Sequence, residues 1–403
     1  MSLAQAVSPT AVSAIRDLTA AEAFRHAVST AAQHAEEVDR LARFPSQAME
    51  ALRSAKALSW YVPHTFGGAN AQIETLSEAT FELSRQCAST GMIFAMHQIQ
   101  VASIVRHRAD SVWFGDYLRR LVREQRLIAS ATSEAGVGGN LRKSIAALEP
   151  VPESSGSLVR FEKEAATISY AAHADDLLTT VRRSIGADQG DQVLILTHLS
   201  EMENEQISEW DTLGMRGTCS PGFRVRATGI PDQVLPVPFA AIAAETMVPF
   251  SHILWANVWL GIATDAFDRA QNFVRAQARQ SPGTTPPAAL RLSEMAVRMG
   301  EYRALLRAVT SEYVRLADGE GRAVLSTLGF SVRINNLKIA ASETAVEICQ
   351  GALRICGFLG YKNGGPYSIG RQLRDAHSGV LMIANDRLHA TNAALLLVHR
   401  DGK

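Results

Sequence analysis

The sequence is poor in the features that identify several large protein classes. Its 403 residues include only four cysteines, whose spacing fits neither a disulfide framework nor a metal site. Charge is balanced, with 40 basic and 40 acidic residues, so nothing favours nucleic acid or an anionic membrane as a partner. We therefore predict a globular protein of the reducing cytoplasm that binds no metal.

Long apolar runs and common catalytic motifs are missing as well. The most apolar stretch, 255–267, is interrupted by Asn257, Thr264 and Asp265, whereas a membrane span needs about 20 residues. The first residues lack the basic start and the apolar core of a secretory signal. No Walker loop, HExxH, GxSxG or CxxC occurs. Their absence excludes the commonest kinds of phosphate-binding loop, zinc site and serine-hydrolase active site.

What the sequence does contain is a pattern that changes twice along the chain. Apolar residues at three- and four-residue spacing predict helices from about 18 to 128. Between 129 and 236, short β-branched segments separated by Gly, Asp, Ser and Pro predict antiparallel strands. These predicted strands are 166–172, 176–183, 192–199 and 223–230.

The helical pattern returns after about residue 236 and continues to the end. Its long periods cover 250–279, 288–317, 322–358 and 371–399. In the last of them Leu381, Leu388 and Leu395 recur every seven residues, which predicts a seam in the core or at a subunit interface. We therefore predict an α+β chain of three domains. These are an N-terminal α-helical domain (1–128), a central antiparallel β-barrel or sheet domain (129–236) and a C-terminal four-helix bundle (237–403).

Five segments, in order along the chain, resemble motifs of the acyl-CoA dehydrogenase superfamily. ATSEAGVGGN (131–140) resembles the loop TEPGAGSD of that family, and WDTLGMRGTCSPGFRV (210–225) resembles its LGxRxS hairpin. The other segments are an early helix with its glycine turn (44–68), the strand region 166–182 and the approach to the last helix (352–376). The chain is therefore identified as a member of this superfamily. The resemblance implies a homotetrameric flavoprotein with FAD, or with FMN if the chain is a two-component monooxygenase.

The same resemblance places four hydroxyl-bearing residues at flavin-binding positions, namely Thr132, Ser133, Thr167 and Ser169. Reduction of a flavin builds negative charge near N5 and the pyrimidine edge, and hydroxyl and backbone donors stabilise that charge. The alternative is that each hydroxyl satisfies only the backbone of its own strand or turn.

A second predicted cofactor group lies further along the chain. Family members bind the flavin pyrophosphate partly with an Arg and a glycine-rich turn from a neighbouring subunit. Arg279 matches that Arg without its usual continuation, while Gly357 and Gly360 match the GGxG turn. Arg354 replaces a Gln and Phe358 replaces a Gly in this turn. Arg354 can still donate to a phosphate as a fork, and the alternative is a surface ion pair.

The seat of the family's catalytic base holds no carboxylate. In a dehydrogenase, a Glu on the last helix removes the α-proton of an acyl thioester, a role worth about 10²–10⁴ in rate. The resemblance places Ile383 at that position, and Ser251 at the position that a minority of members use. The candidate replacements are Asp386, His252 and His377. On an unbroken helix, Asp386 would lie on the face of Ile383, about 4.5 Å along the axis. The alternatives are a solvated ion pair for Asp386, a core histidine for His252 and a first-turn residue for His377.

Three functional hypotheses remain open at the level of the sequence. The leading one is an FAD-dependent dehydrogenase that oxidises the Cα–Cβ bond of an acyl thioester, with Gly139 and Asn140 contacting the substrate. The alternative is a reduced-flavin monooxygenase or N-hydroxylase of a small metabolite, with a flavin reductase as its partner. Many such enzymes carry a His on the last helix where this chain has Met382. The third is a non-enzymatic member that keeps the fold for binding.

Overall fold

The computed structural model describes residues 18–152 and 157–398. The outer ends of the predicted terminal domains, 1–17 and 399–403, lie outside the described residues. The described chain begins with helices, as predicted: α1 Leu18–Leu41, α2 Ser46–Ser54, α3 Ile73–Gln86, α4 Ala88–His107 and α5 Val112–Glu124. Helix α4 is buried along nearly its whole length and so forms the centre of this helical part.

The middle of the chain forms two small sheets. Their strands are β1 Ile128–Ala131, β2 Glu149–Pro150, β3 Val159–Ala165, β4 Asp176–Arg182, β5 Gln192–His198, β6 Glu203–Gln206 and β7 Phe223–Gly229. One sheet has the order β1-β4-β5, and the other has the order β2-β3-β7-β6. The prediction of a sheet domain is confirmed with two differences. Neither sheet closes into a barrel within the described residues, and β1 pairs with β4 in parallel.

The predicted strand at 166–172 is wrong, because this segment is a turn. Tyr170 has a left-handed backbone, with φ +47°, and a 3-10 turn follows at Ala171–His173. The Tyr170 hydroxyl donates to the carbonyl oxygen of Ile128 at 3.0 Å. The apolar side chains of this segment therefore anchor a loop to β1 rather than alternating across a sheet.

Helices make up the rest of the chain. They are α6 Val248–Gln280, α7 Ala288–Ala317, α8 Leu328–Tyr361, α9 Gly370–Leu381 and α10 Asn385–Val398. A short helical segment, Phe239–Ile242, and a π-helical turn, Ala243–Met247, lead directly into α6. In the part of the chain that the structure describes, this stretch, Phe239–Gln280, is the one helix long and apolar enough to cross a membrane, although 67% of its most apolar window is buried inside the protein. Its Asp265 is hydrogen-bonded within the bundle, which fits a core helix.

Helices α6 and α8 run in the same direction, so their first turns lie at one end of the bundle and their last turns at the other. His252 near the start of α6 lies close enough to Lys338 of α8 for the lysine charge to lower the pKa of the imidazole. Further along, burial raises the thiol pKa of Cys349 in α8, and Asp265 of α6 lies close enough for its charge to raise it further. Helix α9 runs in the opposite direction, and its Gly379 packs on Trp259.

The predicted single last helix is wrong, because it is interrupted at residues 382–384. Helix α9 ends at Leu381, α10 begins at Asn385, and Ile383 between them has a left-handed backbone with φ +49°. The heptad seam is broken at the same place. Leu388 is buried, whereas the Leu381 side chain is 75% exposed.

Candidate active site

A pair of hydroxyl groups connects the end of β1 to the turn that follows β3. The Ser133 hydroxyl donates to the carbonyl oxygen of Thr167 at 2.8 Å and accepts from its amide at 3.2 Å. Thr132 lies next to this pair and is half-buried. The structure therefore brings three of the four predicted flavin-binding residues together. It also shows that Ser133 spends part of its hydrogen-bonding capacity on the loop itself.

The fourth of these residues, Ser169, ends a chain of hydroxyl groups. Thr218 and Ser220 have hydroxyl oxygens 2.8 Å apart, and the Ser220 hydroxyl donates to Ser169 Oγ at 2.8 Å. Thr218 and Ser220 are buried. Since Ser169 Oγ accepts this bond, its own proton is free to be donated to a ligand.

Glu134 holds the loop that follows β1. Its carboxylate accepts from the amides of Ile145 and Ala146, at 3.0 and 2.7 Å, and from the Ser144 hydroxyl at 2.7 Å. The same carboxylate lies 3.4 Å from the ammonium of Lys163, and both side chains are buried. The glycine-rich segment between Glu134 and Ser144 is thus fixed at both ends.

The glycine-rich loop reaches the last helix. Gly138 and Gly139 both have left-handed backbones, with φ +58° and +72°, which glycine adopts without strain. The Arg387 guanidinium of α10 donates to the carbonyl oxygen of Gly138. A Cβ on Gly139 would lie only 2.8 Å from a nitrogen of the same guanidinium. The Asn140 side chain accepts from the amide of Arg142 at 3.0 Å and so stabilises its own loop. Contact of Gly139 and Asn140 with a substrate stays a prediction.

The interruption at 382–384 separates the catalytic candidates of the last helix. Asp386 is exposed in the first turn of α10, so it does not lie one turn beyond Ile383 on the face of a continuous helix. His377 lies in the second half of α9 rather than at its start and is half-buried. Catalytic roles for Asp386 and His377 stay predictions, but the geometry expected for Asp386 is wrong.

A buried lysine occupies the inner side of this interruption. Lys338 has no exposed surface, and its ammonium donates to the carbonyl oxygens of Gly379 and Ile383 at 2.9 and 3.0 Å. Its third bond, at 2.6 Å, goes to Oδ1 of Asn385. The charge also lies 5.7 Å from the centroid of the Trp259 ring. Burial lowers the lysine pKa to about 8.

His252 faces the same region from α6 and is buried. Its Nδ1 lies 3.2 Å from the Ser251 hydroxyl, and the neighbouring Asn335 side chain acts to raise the imidazole pKa, but no hydrogen bond of ordinary geometry to Nε2 is found among the described residues. Burial, followed by the charge of Lys338, lowers the imidazole pKa to about 3. His252 is therefore a neutral imidazole at physiological pH. Its unpartnered nitrogen matches a polar group of a ligand better than a solvated base.

The Arg-Asp pair that precedes the interruption joins three parts of the fold. Arg374 donates to Asp39 of α1 and, at 2.9 Å, to the carbonyl oxygen of Leu213. Asp375 accepts from the amide of Met215 at 2.7 Å, and burial raises its pKa to about 6. These residues position the helix and the hairpin against each other rather than facing a ligand.

The second predicted cofactor group lies at the other end of the bundle. At a rise of about 1.5 Å per residue, Arg279 lies about 40 Å along α6 from His252. Arg354 and Gly357 are exposed near the end of α8, and Gly357 has φ +55° and ψ −134°, a conformation that interrupts the helix. Gly360 is buried, and a Cβ there would lie only 2.7 Å from the Cβ of Cys356. The role of these residues at the flavin of a neighbouring subunit stays a prediction.

Several residues of the site were not predicted from the sequence. Glu134 lies inside the matched loop, so its position there could have marked it. Lys163 occupies an inward position of β3. The alternating sequence VRFEKEA (159–165) could have indicated that position, because Lys163 falls in register with Phe161 and Ala165. Lys338 is a single charged residue among apolar residues of a long helix, and nothing else in the sequence indicates its position in the site. In the described part of the chain, no three His, Cys, Asp or Glu side chains are placed to hold a metal ion.

Family models match both helical parts of the chain. The model of the acyl-CoA dehydrogenase N-terminal domain matches residues 16–125. The model of the acyl-CoA dehydrogenase C-terminal domain matches residues 253–386, which include Lys338 and the interruption.

Similar proteins include both dehydrogenases and monooxygenases. Dibenzothiophene monooxygenase of Rhodococcus qingshengii is 24% identical over 342 residues, which cover 80% of each chain. The human mitochondrial short-chain specific acyl-CoA dehydrogenase is 25% identical over 362 residues, which cover 85% of this chain and 80% of the human one. The crystal structure of FMN-bound TdsC from Paenibacillus sp. A11-2 has a TM-score of 0.81 at 21% identity and covers 95% of this chain and 98% of that one.

Proposed function

The chain belongs to the acyl-CoA dehydrogenase superfamily, whose members include oxidoreductases, and from this premise we propose that it is a flavin-dependent monooxygenase. It would receive reduced flavin from a separate reductase and transfer one oxygen atom of O₂ to a small metabolite. The second oxygen atom leaves as water, and the two electrons come from the reduced flavin. The acyl-thioester dehydrogenase that the sequence favoured becomes the competing hypothesis.

The observation that carries this proposal concerns the residues at and around the 382–384 interruption. Abstraction of an α-proton needs a positioned carboxylate, and Ile383 occupies its expected seat. Two acidic side chains lie nearby. Glu343 accepts a hydrogen bond from Asn385 at 3.1 Å, and Asp386 faces solvent. Oxygen transfer from a reduced flavin needs no such base. The similarity to dibenzothiophene monooxygenase supports the same choice.

The residues at the edge of the β domain fit a flavin. Ser169 has a free proton. Thr132 and Ser133 lie on a loop that Glu134 anchors and that is hydrogen-bonded to Thr167, two residues before Ser169. In our proposal these hydroxyls bind and orient the flavin ring, and the bound reduced flavin supplies the electrons that activate oxygen. We propose FMN as the cofactor, because the similar TdsC structure is described as FMN-bound and because FMN makes no demand on an adenine site.

The residues of the bundle would hold the substrate. Ile383 and Trp255 contribute apolar surface, and His252 offers its neutral, unpartnered Nε2 to a polar atom of the substrate. Such an interior suits an uncharged molecule with a hydrogen-bonding atom, and it disfavours a charged one. The partners are then a flavin reductase and three further copies of this chain, in the cytoplasm. Because FMN has one phosphate and no pyrophosphate, Arg354 and the turn at Gly357 would bind that phosphate of a neighbouring copy.

One experiment separates the two activities. The purified protein is incubated with FMN, a flavin reductase, NADH and O₂ over a panel that includes dibenzothiophene and indole, and in parallel with FAD and a series of acyl-CoA thioesters. Substrate-dependent incorporation of ¹⁸O from ¹⁸O₂ supports the proposal. Anaerobic bleaching of the flavin band by a thioester, with no ¹⁸O product in the panel, overturns it.

A further inference from the structure

Lys338 uses its whole hydrogen-bonding capacity on the protein. Its ammonium has three protons, and they go to Gly379, Ile383 and Asn385 at distances between 2.6 and 3.0 Å. No proton is left for a ligand. The lysine therefore acts on the chain around it and not directly on a substrate.

The three acceptors lie on both sides of the interruption. Gly379 is in the last turn of α9, where carbonyl groups lose their helical partners, and a cation is favourable at such an end. Ile383 lies in the interruption itself, and Asn385 is the first residue of α10. One buried charge thus binds the chain on both sides of the junction between the two helices.

The conformation that Lys338 holds is a strained one. Ile383 is β-branched and has φ +49°, a backbone region that such residues avoid. Strain of this kind persists only where the surroundings impose it. The ammonium bond to the Ile383 carbonyl holds the backbone of this residue, while its half-buried side chain packs against the hydrophobic core.

Packing around the lysine leaves little freedom for another arrangement. A Cβ on Gly379 would lie 2.9 Å from the Trp259 ring, so this helix turn is in direct contact with α6. Asn385 is held from the other side by the Ser342 hydroxyl and by Glu343, each at 3.1 Å. The lysine and its acceptors form one connected polar cluster inside the bundle.

We propose that Lys338 is a positioning residue of the active site, which sets the path of residues 382–384 by binding the carbonyl groups on both sides of the interruption. The functional part of this inference rests on the proposed monooxygenase. It goes beyond that proposal by assigning the shape of the site to a residue that does not contact the substrate. Ile383 then closes the reacting end of the site as an apolar wall, because Lys338 fixes its backbone.

The charge state of Lys338 gives this role a pH dependence. Burial lowers its pKa to about 8, and the facing charge of Glu343 partly offsets this effect. The other titratable group that faces it is His252 of α6, which stays neutral. Above the lysine pKa the amine keeps two protons, so one of its three bonds is lost. An Arg at the same position would stay charged throughout this range.

Hydrogen exchange tests the proposal without any need for activity. The variants are Lys338→Met and Lys338→Arg, and Lys56→Met serves as a control at an exposed lysine. Amide protection at 382–386, corrected for the intrinsic rate, is measured from pH 6.5 to 9.5. We expect the wild type to lose protection above about pH 8, Lys338→Arg to keep it, and Lys338→Met to lack it by at least tenfold at every pH. Lys56→Met should follow the wild type.

Two results would overturn the proposal. One is wild-type protection in Lys338→Met, and the other is a Lys338→Arg variant indistinguishable from Lys338→Met. If Lys338→Met does not fold, Asn385→Ala removes one acceptor, and it should lower protection at 382–386 while that of β4 is unchanged. No change in Asn385→Ala would equally contradict the role.

A second readout concerns the flavin. The rate at which the reduced protein–FMN complex reacts with O₂, measured by stopped flow without substrate, should lose its change near pH 8 in Lys338→Arg. Failure of the protein to bind FMN in either redox state would refute the proposed function. The exchange data would still decide whether Lys338 holds the interruption.

Discussion

Glu134 and Lys163 form a buried ion pair next to the glycine-rich loop, with Oε2 and Nζ 3.4 Å apart. Removal of one partner leaves the other charge buried without compensation, at a cost of about 3–5 kcal/mol. We therefore expect Lys163→Met to lower the free energy of unfolding by about 3 kcal/mol or more, as measured by urea denaturation. Because Glu134 anchors the loop, the variant should also bind FMN more weakly.

The same strand offers a matched control. Arg160 forms an exposed pair with Glu149 at 3.1 Å, and pairs of this kind contribute about 0–1 kcal/mol. Arg160→Ala should therefore have a small effect on the unfolding free energy. Equal losses in the two variants would show that burial of the Glu134–Lys163 pair has no special weight.

Removal of the Ser169 hydroxyl should weaken flavin binding and leave the fold intact. The hydroxyl is half-buried, and a typical hydrogen bond contributes about 0.5–1.5 kcal/mol, so Ser169→Ala should raise the FMN dissociation constant about 2- to 10-fold. Ser220→Ala deprives Ser169 of its donor but keeps the ligand-facing group, and we expect a smaller effect. Fluorescence titration with FMN measures both. Unchanged affinity in Ser169→Ala would remove this residue from the flavin site.

Substitution of Asp386 should have little effect on turnover. The side chain is exposed on α10, and exposed substitutions usually change free energies by no more than about 0.5 kcal/mol, or about twofold in rate. Asp386→Asn is therefore expected to remain active in the oxygen-transfer assay. A loss of several orders of magnitude with intact flavin binding would restore this residue as the base of a dehydrogenase.

The buried His252 should make the protein less stable in acid. Its folded-state pKa is about 3, whereas a histidine in an unfolded chain titrates near 6.5. The unfolded state then binds more protons between these values, so stability falls as the pH decreases from about 6.5 towards 3, by up to about 1.4 kcal/mol per pH unit. His252→Asn should reduce the slope of unfolding free energy against pH by that amount. An equal reduction of the slope in His26→Asn, at an exposed histidine of α1, would contradict the role of burial.

Gly357 should tolerate no side chain without cost. Its φ of +55° with ψ of −134° is a glycine conformation, and another residue there loses about 1–3 kcal/mol. We expect Gly357→Ala to weaken oligomer formation and FMN binding, measured by sedimentation and titration. Gly300, exposed inside α7, is the control, since Gly300→Ala should stabilise the helix by about 0.5–1 kcal/mol. Identical behaviour of the two variants would argue against a role for this turn.

The helical periods of the sequence were sufficient to predict most of the bundle. Residues 288–317 form α7 with the predicted bounds, because the pattern there is set by local spacing and by a preceding Pro-rich turn. The interruption at 382–384 was not predictable in this way. The segment contains neither Gly nor Pro, and the contacts that accompany its departure from helix come from Lys338, which lies more than 40 positions earlier in the chain.

The candidate site shows the same division. Ser133 and Thr167 belong to two matched motifs and are hydrogen-bonded to each other, whereas the role of these residues and of Ser169 in flavin binding stays a prediction. Lys338 depends on contacts across three helices. Residue type alone does not distinguish such a lysine from one that extends to solvent.

The bond between Lys338 and the Ile383 carbonyl also bears on how this chain could acquire a different chemistry. A carboxylate introduced by Ile383→Glu would lie close to a buried ammonium, which favours its ionised, paired form. Its pKa would fall, and an ion-paired carboxylate with a low pKa is a poor proton acceptor. The dehydrogenase reaction is therefore not one substitution away, because the ammonium that binds the loop would lower the pKa of the base placed on it.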